Sequence, residues 1–127
     1  MAVVKTNNDI LVFGGGDEKE ILAWNVLNGD KEFEVFPKEH TKPITCIATC
    51  DGEGDELIVI TGSNDCTIRS WSYSSKMVLV NKFNCKVPND HKKEITSIVV
   101  IPQREKPGHW LISVSLDNRC NVWDLSN

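Results

Sequence analysis

Two sets of side chains in this sequence have the residue types of a hydrolytic triad. Ser113, His91 and Asp117 could act as nucleophile, general base and orienting acid. A second set of the same kind, with threonine as its hydroxyl residue, is formed by Thr61, His40 and Asp65. Neither set contains the Gly-x-Ser-x-Gly turn that presents a catalytic serine to substrate. The recurrence of the pattern at similar spacing is more typical of a structural repeat than of an active site.

A tryptophan lies ten residues after each hydroxyl residue, which suggests a second kind of chemistry. An indole N–H only donates a hydrogen bond, a hydroxyl and a neutral imidazole do both, and a carboxylate only accepts. These four types therefore form a complete relay from Trp71 through Thr61 and His40 to Asp65. The second relay consists of Trp123, Ser113, His91 and Asp117. We expect both to be buried structural networks, because a catalytic hydroxyl must be exposed to substrate.

The cysteines and the glycine run offer two further kinds of site. The five cysteines are an odd set without a Cys-x-x-Cys pair, and they predict reduced, mostly buried thiols: Cys46, Cys50, Cys66, Cys85 and Cys120. A zinc site at Cys46 and Cys50 is the alternative, but it lacks a second ligand pair. Residues 14–16, all glycine, could cradle phosphate before a helix, but strand-like residues follow them. We expect no metal and no cofactor.

The elements that must position these residues are short β-rich segments. Turn signals separate them every 8 to 12 residues or so, and no long segment has the period of a helix, so the sequence predicts an all-β fold. Two nearly continuous apolar runs, at 57–60 and 98–101, predict strands packed on both faces. The predicted strands are 2–6, 9–14, 20–26, 32–37, 44–49, 57–61, 67–72, 77–83, 95–102, 110–115 and 120–125.

Three segments repeat one pattern. Ending on tryptophan, residues 14–24 (GGGDEKEILAW), 61–71 (TGSNDCTIRSW) and 113–123 (SVSLDNRCNVW) align without gaps. Upstream of the last two segments, His40 and His91 each lead into an Ile-Thr-x-Ile strand. Self-similarity at a period of about 50 residues indicates copies of one supersecondary unit.

These residues resemble the WD-repeat family, in which a His, a Ser or Thr, an Asp and a Trp recur in each repeat. Two repeats match fully, and Trp123 with Asp124 supplies the family's dipeptide. The first repeat is degenerate, with Gly14 in the hydroxyl position and Glu18 in the Asp position. The resemblance implies a β-propeller built from four-stranded antiparallel blades.

The resemblance divides the chain into about three blades in one unit, 1–127. The blades are predicted at approximately 2–37, 44–83 and 95–125, the last without its outer strand. Because propellers close with about 4 to 8 blades, we expect an open arc that is a fragment or is completed by another copy or another chain.

The function implied is a non-catalytic scaffold that binds other proteins or peptides. The alternatives are a purely architectural subunit and, in another class, an arc that supports an enzyme's site. The net charge of −4 argues against nucleic acid, and no apolar run is long enough for a membrane span, so we expect a cytoplasmic or nuclear protein. The resemblance marks Asp17 in blade one and six candidate binding positions at the rim: Pro43, Thr45, Asn64, Glu94, Thr96 and Leu116.

Overall fold

The computed structural model describes residues 2–5, 10–17, 19–26, 34–35, 40–52, 54, 56–73 and 91–125. These residues contain ten strands in three antiparallel sheets and no helix, so none of them forms a helix that could cross a membrane. The all-β prediction is confirmed, and the three sheets are the blades of an open propeller arc.

Blade one contains four strands in chain order, β1 to β4. The strands are β1 (Ala2–Lys5), β2 (Ile10–Gly15), β3 (Ile21–Asn25) and β4 (Glu34–Val35). Residues 14 and 15 of the glycine run lie inside β2, and the next element is a strand rather than a helix. The local architecture is therefore that of a hairpin and not that of a phosphate-binding loop.

Blades two and three each contain three described strands, with the middle strand second in the chain. Blade two is formed by β5 (Ile44–Asp51), β6 (Leu57–Ser63) and β7 (Ile68–Tyr73). Blade three is formed by β8 (Ile95–Pro102), β9 (His109–Ser115) and β10 (Cys120–Asp124). The predicted outer strand at 77–83 lies outside the described residues.

The inner strands of blades two and three have the same irregularity at their start. The pairing register shifts between Ile44 and Cys46 in β5, and between Ile95 and Ser97 in β8. A bulge of this kind adds a residue to one strand and redirects its side chain. The residues inside the two bulges are Thr45 and Thr96, which are both among the candidate rim residues.

The blades pack face to face, and each junction has its own apolar core. Between blades one and two the core contains Phe13 and Ile21 against Val59 and Trp71. Between blades two and three it contains Ile58 and Ile60 of blade two, with Ile95, Ile98 and Leu111 of blade three. Residues 57–60 are buried on both faces of β6, as the apolar run predicts.

The prediction that a nearly continuous apolar run is buried on both faces of its strand is wrong for residues 98–101. Ile98 is buried against blade two, but Val99 is 49% exposed and Ile101 is 42% exposed. The two exposed side chains point to the face of blade three that no described blade covers. For the same reason Cys120 is exposed, contrary to the expectation of mostly buried thiols.

Candidate functional site

In blade two the four relay residues lie in hydrogen-bond contact. The indole N–H of Trp71 donates to Oγ1 of Thr61 at 3.2 Å. That hydroxyl lies 2.7 Å from Nε2 of His40, whose Nδ1 lies 2.9 Å from Oδ2 of Asp65. A neutral imidazole protonated at Nδ1 satisfies every contact, because it then donates to Asp65 and accepts from Thr61.

In blade three the corresponding side chains adopt the same arrangement. Trp123 donates its indole N–H to the hydroxyl of Ser113 at 2.9 Å. The hydroxyl lies 2.7 Å from Nε2 of His91, and Nδ1 of His91 lies 3.0 Å from Oδ2 of Asp117. His91 and Ser113 are both buried. Each network therefore joins the loop before the inner strand to the second and third strands of its blade.

The turn between the second and third strands places the aspartate of each network. In blade two the N–H of Ser63 donates to the carbonyl of Thr67, and Cys66 has a left-handed backbone with φ of 70°. In blade three Asn118 takes the corresponding conformation with φ of 63°. A left-handed residue at this position is typical of a short hairpin turn with a bulge. The turn thus directs the aspartate towards the histidine loop.

Each aspartate also binds the backbone on both sides. Asp65 accepts the N–H of Thr67 through Oδ1 at 2.9 Å and the N–H of Thr41 through Oδ2 at 3.1 Å. Asp117 makes the equivalent contacts with the N–H groups of Arg119 and Lys92. Because these donors favour the ionised carboxylate, each aspartate clamps its own turn to the preceding loop.

The same donors control the ionisation of the two carboxyl groups. Burial alone raises the pKa of Asp65, but hydrogen bonds from Thr67 and His40 outweigh it and hold the pKa below the ordinary value of 3.8. Burial acts in the same direction on Asp117, yet hydrogen bonds from Lys92, His91 and Arg119 lower its pKa to about 2. Both carboxylates are therefore charged at neutral pH.

Comparison with known proteins finds WD repeats in this chain. The family model described as "WD domain, G-beta repeat" matches residues 31–72 and 84–124, which together are more than half of the chain. The chain belongs to the WD-repeat family. Proteins of this family are generally non-catalytic.

Several curated WD-repeat proteins are similar to this chain. "Protein ROOT INITIATION DEFECTIVE 3" of Arabidopsis thaliana is 28% identical over 98% of the chain and 28% of its own length. "Nuclear distribution protein PAC1" of Candida tropicalis is 30% identical over 91% of the chain and 21% of its own length. "Pre-rRNA-processing protein IPI3" of Mycosarcoma maydis is 27% identical over 93% of the chain and 21% of its own length. The chain thus spans between a fifth and a third of the length of these relatives.

The buried hydroxyls of the WD networks have no access to a substrate. Thr61 and Ser113 are both 0% exposed, and each already accepts an indole N–H. A nucleophile must approach a reacting carbon, so a hydroxyl enclosed by indole and imidazole cannot attack a bound molecule. The geometry of both triad-like sets is therefore that of a hydrogen-bond network within the blade.

The cysteines of the described residues do not form a metal site. No group of three His, Cys, Asp or Glu residues within the described ranges could hold a metal ion. Cys46 and Cys50 lie on β5, where Cys50 is buried and Cys46 half-buried. Burial raises the pKa of the Cys46 thiol. Because a metal binds the thiolate, this shift works against coordination. Cys85 lies outside the described residues.

Four of the candidate rim residues meet in pairs at the network ends of blades two and three. In blade two the N–H of Asn64 donates to the carbonyl of Pro43 at 3.0 Å. In blade three the N–H of Leu116 donates to the carbonyl of Glu94 at 3.1 Å. The loop before the inner strand and the turn before the aspartate are thus joined into one surface. Leu116 is 55% exposed on it, while Asp17 is exposed in the corresponding turn of blade one.

The two rim threonines differ in their contacts. The hydroxyl of Thr45 lies 2.5 Å from the carbonyl oxygen of Ile95, so it contacts the inner strand of the neighbouring blade. The hydroxyl of Thr96 donates to the carbonyl of Val114 within its own blade at 3.2 Å. Thr45 therefore helps to hold blades two and three together.

Sequence reasoning missed one serine in blade two and one in blade three. Ser63 donates its hydroxyl to the carbonyl of Pro43 at 2.9 Å and accepts the N–H of Asp65 at 3.1 Å. Ser115 similarly donates to the carbonyl of Lys93 and accepts the N–H of Asp117. The signal was present, since both serines lie two residues after the network hydroxyl and two before the aspartate. This shared spacing could have identified them.

Proposed function

We propose that this chain is a non-catalytic WD-repeat module that binds other proteins or peptides at its rim. The rim consists of the loops before the inner strands and the turns before the network aspartates. Its candidate contacts are Pro43, Thr45, Asn64, Glu94, Thr96 and Leu116. As an open arc, the module is completed by further blades, by another chain or by another copy, and it works in the cytoplasm or the nucleus.

The exposure of Leu116 is the observation that carries the proposal. The networks hold the buried hydroxyls, imidazoles and carboxylates of blades two and three inside the blades. Leu116 by contrast presents an apolar side chain in a polar turn, and its own N–H is fixed to the Glu94 carbonyl. A partner that buries a pre-positioned apolar side chain gains binding energy without first ordering the loop.

Protein partners are favoured over nucleic acid by the charge of the chain. The net charge of −4 gives no general attraction to phosphate backbones. Lys42, Lys92 and Lys93 lie near the rim, but Glu94 and Asp17 share it. The mixed charge suits a polypeptide partner, whose own charges can match both signs.

Binding by rim variants tests the proposal. Leu116→Asp and Glu94→Lys should each weaken capture of the chain's protein partners from cell extract by about fivefold or more, which corresponds to ~1 kcal/mol. Glu105→Lys is the matched control, because it makes the same charge change in the exposed loop between β8 and β9. If both rim variants bound like the parent chain with thermal stability unchanged, the rim would not be the binding surface. The purely architectural alternative would then be favoured.

A further inference from the structure

Glu94 and Leu116 form one fixed part of the rim in blade three, and we call them the acid-leucine pair. The N–H of Leu116 donates to the carbonyl of Glu94 at 3.1 Å, which ties the turn to the loop before the inner strand. Ile95, the residue after Glu94, is fully buried in the junction core. A carboxylate and an apolar side chain are thus held by ordered backbone, so binding does not first have to order either loop.

Glu94 lies at the junction of blades two and three, and the structure describes both blades there. The Ile95 carbonyl accepts the hydroxyl of Thr45 in blade two. Cγ2 of Ile95 would lie 2.7 Å from a Cβ placed on Gly62 of blade two. The start of β8 is therefore seated against the rim end of blade two. Glu94, one residue earlier, is itself half-buried at this junction.

The carboxylate of Glu94 has no ion-pair partner among the described residues. The ion pairs between side chains in this part of the chain join other residues: His40 to Asp65, His91 to Asp117, and Lys106 to Asp124. Partial burial removes some of the water that solvates the Glu94 carboxylate, and no described cation takes its place. A cationic group from a partner would therefore gain more here than at a fully exposed carboxylate.

The charges that act on Cys66 give the sign of the surroundings. Cys66 lies in the turn of blade two. Burial raises the pKa of its thiol, and the Glu94 carboxylate raises that pKa further. Asp65 and Asp117 act in the same direction, while Lys42 lowers the pKa. Three carboxylates thus act against one ammonium group, and such a negative sum favours a cation at the junction.

Three lysines also lie on the rim, and they are the charges that an acidic partner would meet. Lys42, Lys92 and Lys93 are all exposed. Exposed ammonium groups are well solvated and screened by salt, so each contributes little to binding. Glu94 is half-buried by contrast, so the charge of a partner acts on it with less screening. The acid-leucine pair therefore favours a basic partner over an acidic one.

We propose that the acid-leucine pair binds a partner segment in which one apolar and one basic side chain lie next to each other. The apolar side chain packs on Leu116, and the ammonium or guanidinium group pairs with Glu94. Arginine fits a carboxylate especially well, because its planar fork donates two parallel hydrogen bonds. The corresponding residues of blade two, Pro43 and Asn64, carry no charge, so the preference belongs to blade three. The inference rests on the proposed rim binding and deepens it by naming the chemistry of the partner.

Selection of peptides on the immobilised chain tests this pairing. The probe is a display library of random short peptides, selected in parallel on the parent chain and on its variants. Peptides from the parent chain should be enriched in arginine or lysine at least about threefold over the starting library, with an apolar residue nearby. On Glu94→Lys the enrichment should shift to aspartate and glutamate. Lys93→Glu is the matched control at the exposed neighbouring residue, and it should keep the basic preference.

A measurement on one selected peptide separates the effect of charge from an effect on the fold. Glu94→Gln keeps the shape of the side chain and should weaken binding of the peptide about fivefold or more. Replacing the basic residue of the peptide by alanine should weaken binding to the parent chain by a similar factor, but it should change binding to Glu94→Gln little. A folding defect alone would not couple the two changes. Melting followed by circular dichroism should show Glu94→Gln to be as stable as the parent.

The inference would be overturned by enrichment of acidic residues on the parent chain, by a basic preference that persists on Glu94→Lys, or by failure to select any peptide. Peptides that bind the parent but not Leu116→Asp, and that show no preference for basic residues, would overturn it too, although the proposed rim binding would stand. Peptides that bind Leu116→Asp and Glu94→Lys as well as the parent would contradict the rim proposal itself.

Discussion

At the scale of single residues, the networks place polar side chains in the interior of the blades. His40, Thr61 and Trp71 are buried, and each has its partner within hydrogen-bond distance. A buried polar group costs little when it is paired and several times more when its partner is removed. The networks should therefore stabilise each blade, and loss of any member should be felt by the others.

We expect Trp71→Ala to lower the free energy of unfolding by about 3 to 5 kcal/mol, the usual cost of removing a large buried aromatic side chain. Trp71→Phe should cost less, because it keeps most of the apolar contact and loses the N–H. Thr61→Ser, which keeps the hydroxyl, should be milder still. Chemical denaturation measures all three. If the free energy of unfolding of Trp71→Ala lay within a few tenths of a kcal/mol of the parent's, the indole would not be part of a buried network.

Stability should fall in acid because of the two network carboxylates. The pKa of Asp117 is about 2 in the folded chain against an ordinary value of 3.8, so the ionised group stabilises the fold fully above about pH 5. That contribution is lost as the pH falls towards 2, and the lowered pKa of Asp65 acts in the same direction.

Asp117→Asn should flatten this acid dependence, as measured by urea unfolding between pH 7 and pH 3. Asp51→Asn, at an exposed position, makes the same charge change and is the control. If the unfolding free energy of the Asp117→Asn variant fell as steeply with acid as that of the parent, the acid sensitivity would belong to other groups.

At the scale of the strands and blades, the junctions depend on glycine. Gly62→Ala should destabilise the chain, because the new Cβ would lie 2.6 Å from Sγ of Cys46 and 2.7 Å from Cγ2 of Ile95. Ile95→Ala should cost about 2 to 5 kcal/mol as a cavity. In the double variant the smaller side chain makes room for the added methyl. The double variant should therefore be destabilised by about 0.5 to 3 kcal/mol less than the sum of the two single effects.

Gly16→Ala is the control for this double-mutant cycle. A Cβ at Gly16 would meet nothing within 4 Å, so the variant should unfold close to the parent. Strict additivity of Gly62→Ala and Ile95→Ala would show that the two positions do not touch. Gly62 would then not be needed to admit Ile95 at the junction.

Much of the fold could be predicted from the sequence because its signals are local. The strands follow from apolar runs between turn residues, and the members of each network follow from hydrogen-bonding types that repeat in register. The continuation of β6 through Gly62 and Ser63 was missed, because neither residue favours a strand by itself. The exposure of Val99 and Ile101 depends on which blade lies next to β8, and the composition of a strand does not contain that information.

The site could be predicted only in part, for a similar reason. The spacing of the repeats places Leu116 in a turn at the rim, but the contact between Thr45 and the Ile95 carbonyl joins residues from different blades. Such a contact depends on how the sheets pack. The close approach of Gly62 to Ile95 likewise depends on how blades two and three pack, which a single sequence does not state.

At the scale of the whole molecule, the arc combines buried networks in blades two and three with an exposed rim. The networks rigidify blades two and three, and the rim presents Leu116 beside Glu94. A rigid support lowers the entropy cost of binding at loops that it holds in place.

Amide hydrogen exchange of the chain alone and with a captured partner bound tests most directly whether the rim is the binding surface. Partner binding should slow exchange at Thr45, Asn64, Thr96 and Leu116, and it should leave residues 103–109, at the opposite end of blade three, unchanged. Slower exchange at residues 103–109 with no change at the rim would contradict the proposed function.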